Sequence, residues 1–164
     1  DFTRPETLPA AYQGGTRLLL ISINPIPDRP QMHKNAVDAA VRVGVKHIVY
    51  VSSVDADNPG ESKSAEEHRL TERYVRESGA AWTMLRNHLY MNGLVAQAVR
   101  MVADGRAVLQ PDEQPAAYVT REDCAAAAAA VLATRGHENR IYEITGPDLV
   151  TRRDLARMAA ELSG

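Results

Sequence analysis

The residues best placed for chemistry follow an apolar run. Ala81-Trp82-Thr83-Met84-Leu85 gives way at once to Arg86, Asn87 and His88, then Tyr90 and Asn92. Asn and Tyr just beyond a buried strand can fix a planar amide or a ribose by hydrogen bonds. The plain alternative is capping by Asn87 and core packing by Tyr90. Two further apolar runs end in polar groups, Ser22-Ile23-Asn24 and Ser52-Ser53. A serine in such a place also simply caps a turn. His68 has Glu67 beside it and Glu72 one helical turn on. It can act as a general acid or hydrogen-bond donor whose pKa a neighbouring carboxylate raises. It also stands among Glu66, Glu67, Arg69, Glu72 and Arg73, which reads as a solvated helix face. Arg121 falls in the first turn of a helix, where a cation is slightly unfavourable, so an anionic partner such as a phosphate would suit it.

These groups need elements to hold them. Arg17 to Ile23, His47 to Val51 and Ala81 to Leu85 are short, nearly continuous apolar runs, the pattern of strands buried on both faces. Between them, Gln31 to Val43 has apolar residues at helical spacing and stops at Gly44; Ser64 to Ser78 is a second helix, with Ser64 and Glu67 as a capping box and Leu70, Thr71, Tyr74 and Val75 as its apolar face. Thr3 with Glu6 predicts a helix start near Pro5. Asn24 to Pro30 and the stretch after Leu109 read as proline-containing loops. A helix is expected from about Tyr90 to Asp104. Thr120 with Asp123 caps an Ala-rich helix to Thr134, Ile141 to Ile144 is a strand, and Thr151 with Asp154 caps the last helix. Strands alternating with helices imply an α/β fold around a parallel sheet, with ligands outside the carboxyl ends of the strands. The first three strands then deliver hydroxyls, amides and an imidazole to one edge.

Composition narrows the functions. Nineteen basic and 21 acidic residues are spread along the 164, and no basic cluster exceeds Arg152-Arg153, so neither nucleic acid nor an anionic membrane is an expected partner. A single cysteine, Cys124, excludes an intramolecular disulfide and a Cys-rich zinc site, and fits a reducing cytoplasm. The five histidines have no metal-ligand spacing. There is no G-x-G-x-x-G, no phosphate loop ending in Gly-Lys, no G-x-S-x-G elbow and no Tyr-x-x-x-Lys.

The segments "AAVRVGVKHIVYVSS", "AEEHRLTERYVRESGAAWTMLRNHLYMN", "VTREDCAAAAAAVL" and "IYEITGPDLVTRRDLA" resemble the NmrA-like branch of the atypical short-chain dehydrogenase/reductases. Within it the chain is most similar to the type 2 NAD(P)H:quinone oxidoreductases and triphenylmethane reductases. The Leu-Arg-Asn-x-x-Tyr stretch followed by Asn92 is the more specific signal. The resemblance implies a Rossmann-like sheet binding NADPH or NADH, with residues 1–89 as a partial dinucleotide-binding core. Residues 90–164 would form a small mixed α and β substrate lobe whose elements return to that core. It implies that Ser22, Ile23 and Asn24 pass the adenosine side, and that Asn87, His88, Leu89, Tyr90, Met91 and Asn92 line the nicotinamide and nearby phosphates. Arg121, and Ser52 at its strand end, approach the cofactor. His68 and Tyr90 would be the catalytic residues. The branch lacks Tyr-x-x-x-Lys, so that absence is expected.

The resemblance further implies hydride transfer to a small electron acceptor such as a quinone, in a cytoplasmic enzyme that works as a monomer or homodimer. The alternatives are a non-enzymatic NAD(P)-sensing regulator, which the same branch contains, or an inactive fragment. Relatives place a strand, the Gly-rich loop, a helix and two more strands before the position of Asp1, roughly 50 to 60 residues. The chain is therefore expected to be part of a longer protein. Taken alone it should bind cofactor weakly and leave Leu18 to Ile23 and Ile48 to Val51 each short of a neighbouring strand.

Overall fold

The computed structural model describes residues 1–24, 28–109 and 114–163. Parts of both expected proline loops, residues 25–27 and 110–113, lie outside the described residues. The chain divides into two compact units. The first holds Asp1–Arg86 and Ala126–Glu143, the second Asn87–Ala125 and Ile144–Gly164.

In the first unit, strands β1 (Arg17–Ile21), β2 (His47–Ser53), β3 (Ala81–Asn87) and β6 (Arg140–Ile144) form one sheet in the order β1-β2-β3-β6. β1 and β2 run parallel, in register from Arg17 opposite His47 to Ile21 opposite Val51. β2 has a neighbour on each side, which corrects the expectation that Ile48 to Val51 would lack one. Only β1 lies at that edge, and its last residue, Ile21, is 60% exposed. β1 stops two residues short of the expected Ile23, whose backbone N–H and carbonyl meet His33 and Arg29 instead of the ladder.

Helices α1 (Leu8–Tyr12), α2 (Arg29–Arg42) and α3 (Lys63–Glu77) belong to this unit. Leu8, Leu20, Ala36, Val37, Ala40, Ile48, Tyr50, Val75 and Met84 meet in one buried cluster. Each fully buried Val, Leu or Ile side chain contributes about 1.5–3 kcal/mol. α2 ends as the sequence requires. Gly44 adopts φ 90°, and Val45 N–H returns to the Ala40 carbonyl at 3.0 Å. The start of α3 differs from expectation. Ser62 is its N-cap, accepting from Ala65 N–H at 3.3 Å, while Ser64 and Glu67 both turn to Arg29 of α2. Thr3 likewise caps nothing: its hydroxyl and N–H bind Asp1, and Pro5–Thr7 is a 3-10 turn leading into α1.

The second unit contains α4 (Met91–Asp104) and α6 (Arg152–Ser163), with a three-stranded sheet in the order β4 (Leu89–Tyr90), β5 (Ala116–Val119), β7 (Leu149–Val150). β4 pairs parallel with β5, and β5 antiparallel with β7. β5 and β7 are too short to show a two-residue period, and sequence reasoning missed both. Gly146 passes so close to β5 that a Cβ there would lie 2.0 Å from the Tyr118 carbonyl oxygen. α5 (Arg121–Ala133) begins in this unit and ends in the first. Its start is capped as predicted, with Thr120 Oγ1 accepting from Asp123 N–H at 3.0 Å; Thr151 and Asp154 do the same for α6 at 3.1 Å. At the far end of α5, Arg17 Nη1 donates to the Val131 and Leu132 carbonyls, a cation on the negative end of the helix.

One buried charge pair ties β3 to α3. Arg86 donates through Nε to Glu72 Oε1 at 2.9 Å and through Nη2 to Oε2 at 2.7 Å. The two side chains are 3% and 4% exposed. Glu72 also accepts from Ser52 Oγ at 2.7 Å and from Arg76 Nη2 at 3.0 Å. Asp57 is a second partner of Arg86, but its side chain is 72% exposed.

Two outcomes follow. Glu72→Gln leaves a buried guanidinium short of charge and should cost about 3 kcal/mol in urea unfolding, whereas Asp57→Asn should cost under about 1 kcal/mol. Equal costs would mean that Glu72 is not the controlling partner. Gly146→Ala should cost about 2 kcal/mol or more, because backbone rather than a flexible side chain must move. A thermal midpoint within a degree of the parent's would contradict the close approach.

Candidate functional site

The first unit contributes the ends of β1 and β2. Ser22 and Ile23 are half-buried and Asn24 is exposed. Ile23 N–H donates to His33 Nε2 at 3.3 Å, and the Ile23 carbonyl lies 3.4 Å from Arg29 Nη1. Ser52 is buried, and its hydroxyl proton is committed to Glu72. Arg86, at the end of β3, is held by Glu72 and Asp57 rather than turned outward.

His68 corrects both sequence readings of it. It is not on a solvated face: Glu67, His68, Thr71 and Glu72 are all buried. Nor is its pKa raised. Burial, then the nearby Arg29 cation, pushes it down to about 4 against the opposing pull of Glu72. Its Nδ1 lies 2.8 Å from the Tyr50 hydroxyl. Burial raises the Tyr50 pKa, so the phenol keeps its proton. With its pKa held down, His68 is a neutral imidazole whose Nδ1 is held by the Tyr50 hydroxyl.

His33 is a second buried, neutral imidazole, which sequence reasoning missed. Burial, then Arg29 and His68, lowers its pKa to about 4. Thr71 Oγ1 donates to the Glu67 carbonyl at 2.9 Å, so toward His33 Nδ1, 3.1 Å away, it can only accept. The proton of His33 is therefore on Nδ1, and Nε2 is free to accept from Ile23. Arg29, also missed, donates to the Ser64 carbonyl at 2.8 Å; its Nε is 2.8 Å from Glu67 Oε2, an ion pair by distance but not aligned as a hydrogen bond. The one available signal was the i, i+4 spacing of Arg29 and His33 directly after the β1 loop.

The second unit brings together Asn87, Tyr90 and Arg121. Asn87 Nδ2 donates to the Tyr90 hydroxyl at 3.1 Å, and the Arg121 guanidinium lies 5.5 Å from the Tyr90 ring centre. Stacking on that ring gives Arg121 a partner in the first turn of α5. Asn87 is 7% exposed, yet its Oδ1 has no hydrogen-bond partner among the described residues. Whichever way the amide is turned, one polar end meets Tyr90 and the other is left over. Tyr90 is half-exposed at the N-cap of α4 rather than packed in a core, and no side chain caps that helix. Met91 and Asn92 form its open first turn. His88 N–H donates to the Ile144 carbonyl at 3.0 Å, and Leu89 is exposed. Among the described residues there is no cluster that could hold a metal ion and no helix long and apolar enough to cross a membrane.

The neutral histidines give the fold a pH limit. Unfolded, each has a pKa near about 6.5; folded, His33 and His68 have about 4. Their contribution to stability is complete above the upper value and is lost as pH falls through the window, because the unfolded chain binds the extra protons. The urea midpoint should therefore drop from pH 6.5 to 5, before most carboxylates protonate. The drop should be shallower by about one proton in His68→Gln; an unaltered slope would mean that His68 is charged in the fold.

Residues 1–135 match a family described as NAD(P)H-binding. The chain is 37% identical over 163 residues to quinone oxidoreductase 2 of Escherichia coli K12, covering 99% of this chain and 56% of that protein. Among solved structures, it matches the E. coli NADPH-dependent quinone oxidoreductase complexed with NADPH at 36% identity and a TM-score of 0.93, covering all of this chain and 58% of that one. It matches the Citrobacter sp. triphenylmethane reductase complexed with NADP(H) at 34% identity and a TM-score of 0.90, with the same coverage. The chain thus spans a little over half the length of these relatives. With the match running from Asp1 through β1, β2, β3 and α5, the chain belongs to the NAD(P)H-binding family.

Proposed function

We propose that the protein is an NAD(P)H-dependent reductase that passes a hydride to a quinone or a similarly electrophilic small molecule. The observation that carries this reading is the leftover amide end of Asn87, buried at the end of β3 in a chain of the NAD(P)H-binding family. A buried polar atom without a partner costs about 1–3 kcal/mol, and a carboxamide or ribose hydroxyl of the cofactor would supply the missing hydrogen bond. Ser22, Ile23 and Asn24 would pass the adenosine side. His88, Leu89, Tyr90, Met91 and Asn92 would line the nicotinamide, and the open first turn of α4 suits an oxygen-rich group. Arg121, stacked on Tyr90, would face a phosphate. Ser52 acts at one remove, through Glu72. The cofactor, NADPH or NADH, supplies the hydride.

The chain's own chemical contribution is modest. An electrophilic acceptor needs positioning and a dry wall more than a strong acid. His68, a neutral imidazole held by Tyr50, would donate an Nε2–H to the acceptor oxygen on which negative charge develops. The proton that completes reduction of a quinone can then come from water. The proposal places the protein in the cytoplasm, as a homodimer, with no nucleic-acid or membrane partner. It treats residues 1–89 and 90–164 as cofactor core and acceptor lobe.

Titration of NADPH, followed by the fluorescence of Trp82, tests the reading together with NADPH oxidation on adding a quinone. Asn87→Leu should weaken NADPH about tenfold, one lost hydrogen bond's worth. His68→Leu should lower kcat with little change in NADPH affinity. Binding without turnover would point to an NAD(P) sensor, and absence of binding would reject the reading.

A further inference from the structure

Ile23 is held in an unusual way. It lies two residues past the end of β1, beyond the parallel ladder, so its backbone groups need other partners. Both come from α2. His33 Nε2 accepts from the Ile23 N–H at 3.3 Å, and Arg29 Nη1 approaches the Ile23 carbonyl at 3.4 Å. Arg29 and His33 are four residues apart, hence one above the other on the same face of the helix. They are 2% and 1% exposed. Each is fixed from behind: Arg29 by Glu67 and by the Ser64 carbonyl, His33 by Thr71. All three of those residues are on α3. A tautomer change or protonation at His33 would set an N–H against the Ile23 N–H, so the grip depends on the Thr71 contact.

We propose that Arg29 and His33 form a two-pronged clamp on the Ile23 backbone that presets the Ser22–Asn24 segment for the adenosine side of the dinucleotide. They are positioning residues for cofactor affinity, not for the hydride step; this rests on the reductase reading above. Because the prongs touch only backbone, the side chain of Ile23 is not what they read. A clamp of this kind raises affinity by removing the cost of ordering the segment on binding.

The test compares His33→Leu, which removes the acceptor, with His33→Gln, whose amide oxygen can reach the place of Nε2. We expect His33→Leu to raise the Kd and KM for NADPH about tenfold while kcat at saturating NADPH stays within about twofold. His33→Gln should restore most of the affinity. The Ile23 amide should exchange slowly in the parent and in His33→Gln, and fast in His33→Leu. Should His33→Leu fail to fold, Thr71→Val takes its place, since it removes the group that fixes the tautomer and keeps the shape. A folded variant with a fast-exchanging Ile23 amide and parental NADPH affinity would overturn the proposal. So would a loss confined to kcat. If the parent itself binds no NADPH, the reductase reading fails first, and Ile23 exchange alone then decides whether the clamp exists.

Discussion

The first unit depends on burying the Arg86 guanidinium. A lone cation at the end of a buried strand would be expelled toward water, and the strand end with it. Glu72 prevents this with two hydrogen bonds of 2.9 and 2.7 Å, and then uses its remaining acceptor capacity on Ser52 and Arg76. Three elements are fixed by this one carboxylate: β2 through Ser52, β3 through Arg86, and α3 on which it stands. Arg86 immediately precedes Asn87, whose unmatched amide carries the functional reading.

A second ion pair, Arg29 with Glu67, lies one turn back along α3. Around Arg29 stand His33 and His68, both kept neutral. The cation explains part of that neutrality, and burial explains more of it. The consequence is structural as well as electrostatic. An uncharged imidazole can accept on one nitrogen and donate from the other, and His33 uses both, on Ile23 and Thr71. His68 is held through Nδ1 by the Tyr50 hydroxyl. Thr71 is shared, since it takes the His33 proton and returns its own to the Glu67 carbonyl.

The four Ser/Thr-x-x-Glu/Asp patterns expected to start helices show which signals could be read and which could not. Thr120 with Asp123 and Thr151 with Asp154 cap helices as their spacing predicts, because every partner lies within one turn. Ser64 with Glu67 has the same spacing and does not, since Arg29, 35 residues from Ser64, takes both side chains. Thr3 with Glu6 fails because Asp1 is nearer. His68 follows the same logic. Its charged neighbours in sequence suggested a wet face, yet Glu67 and Glu72 point inward to arginines that arrive from α2 and β3.

The sequence by itself determined the α/β order, the parallel strands β1 and β2, both helix starts built on local caps, and the polar cluster after β3. Each is written in residues within a few positions of one another, so periodicity and short-range hydrogen bonding suffice. Only the tertiary structure decided the protonation of His33 and His68, the burial of Ser52 and the grip of Arg29 and His33 on Ile23. It also decided the stacking of Arg121 on Tyr90. Those depend on which charge meets which across a packed interior, where removal from water makes partner choice cost several kcal/mol. No local pattern records that choice.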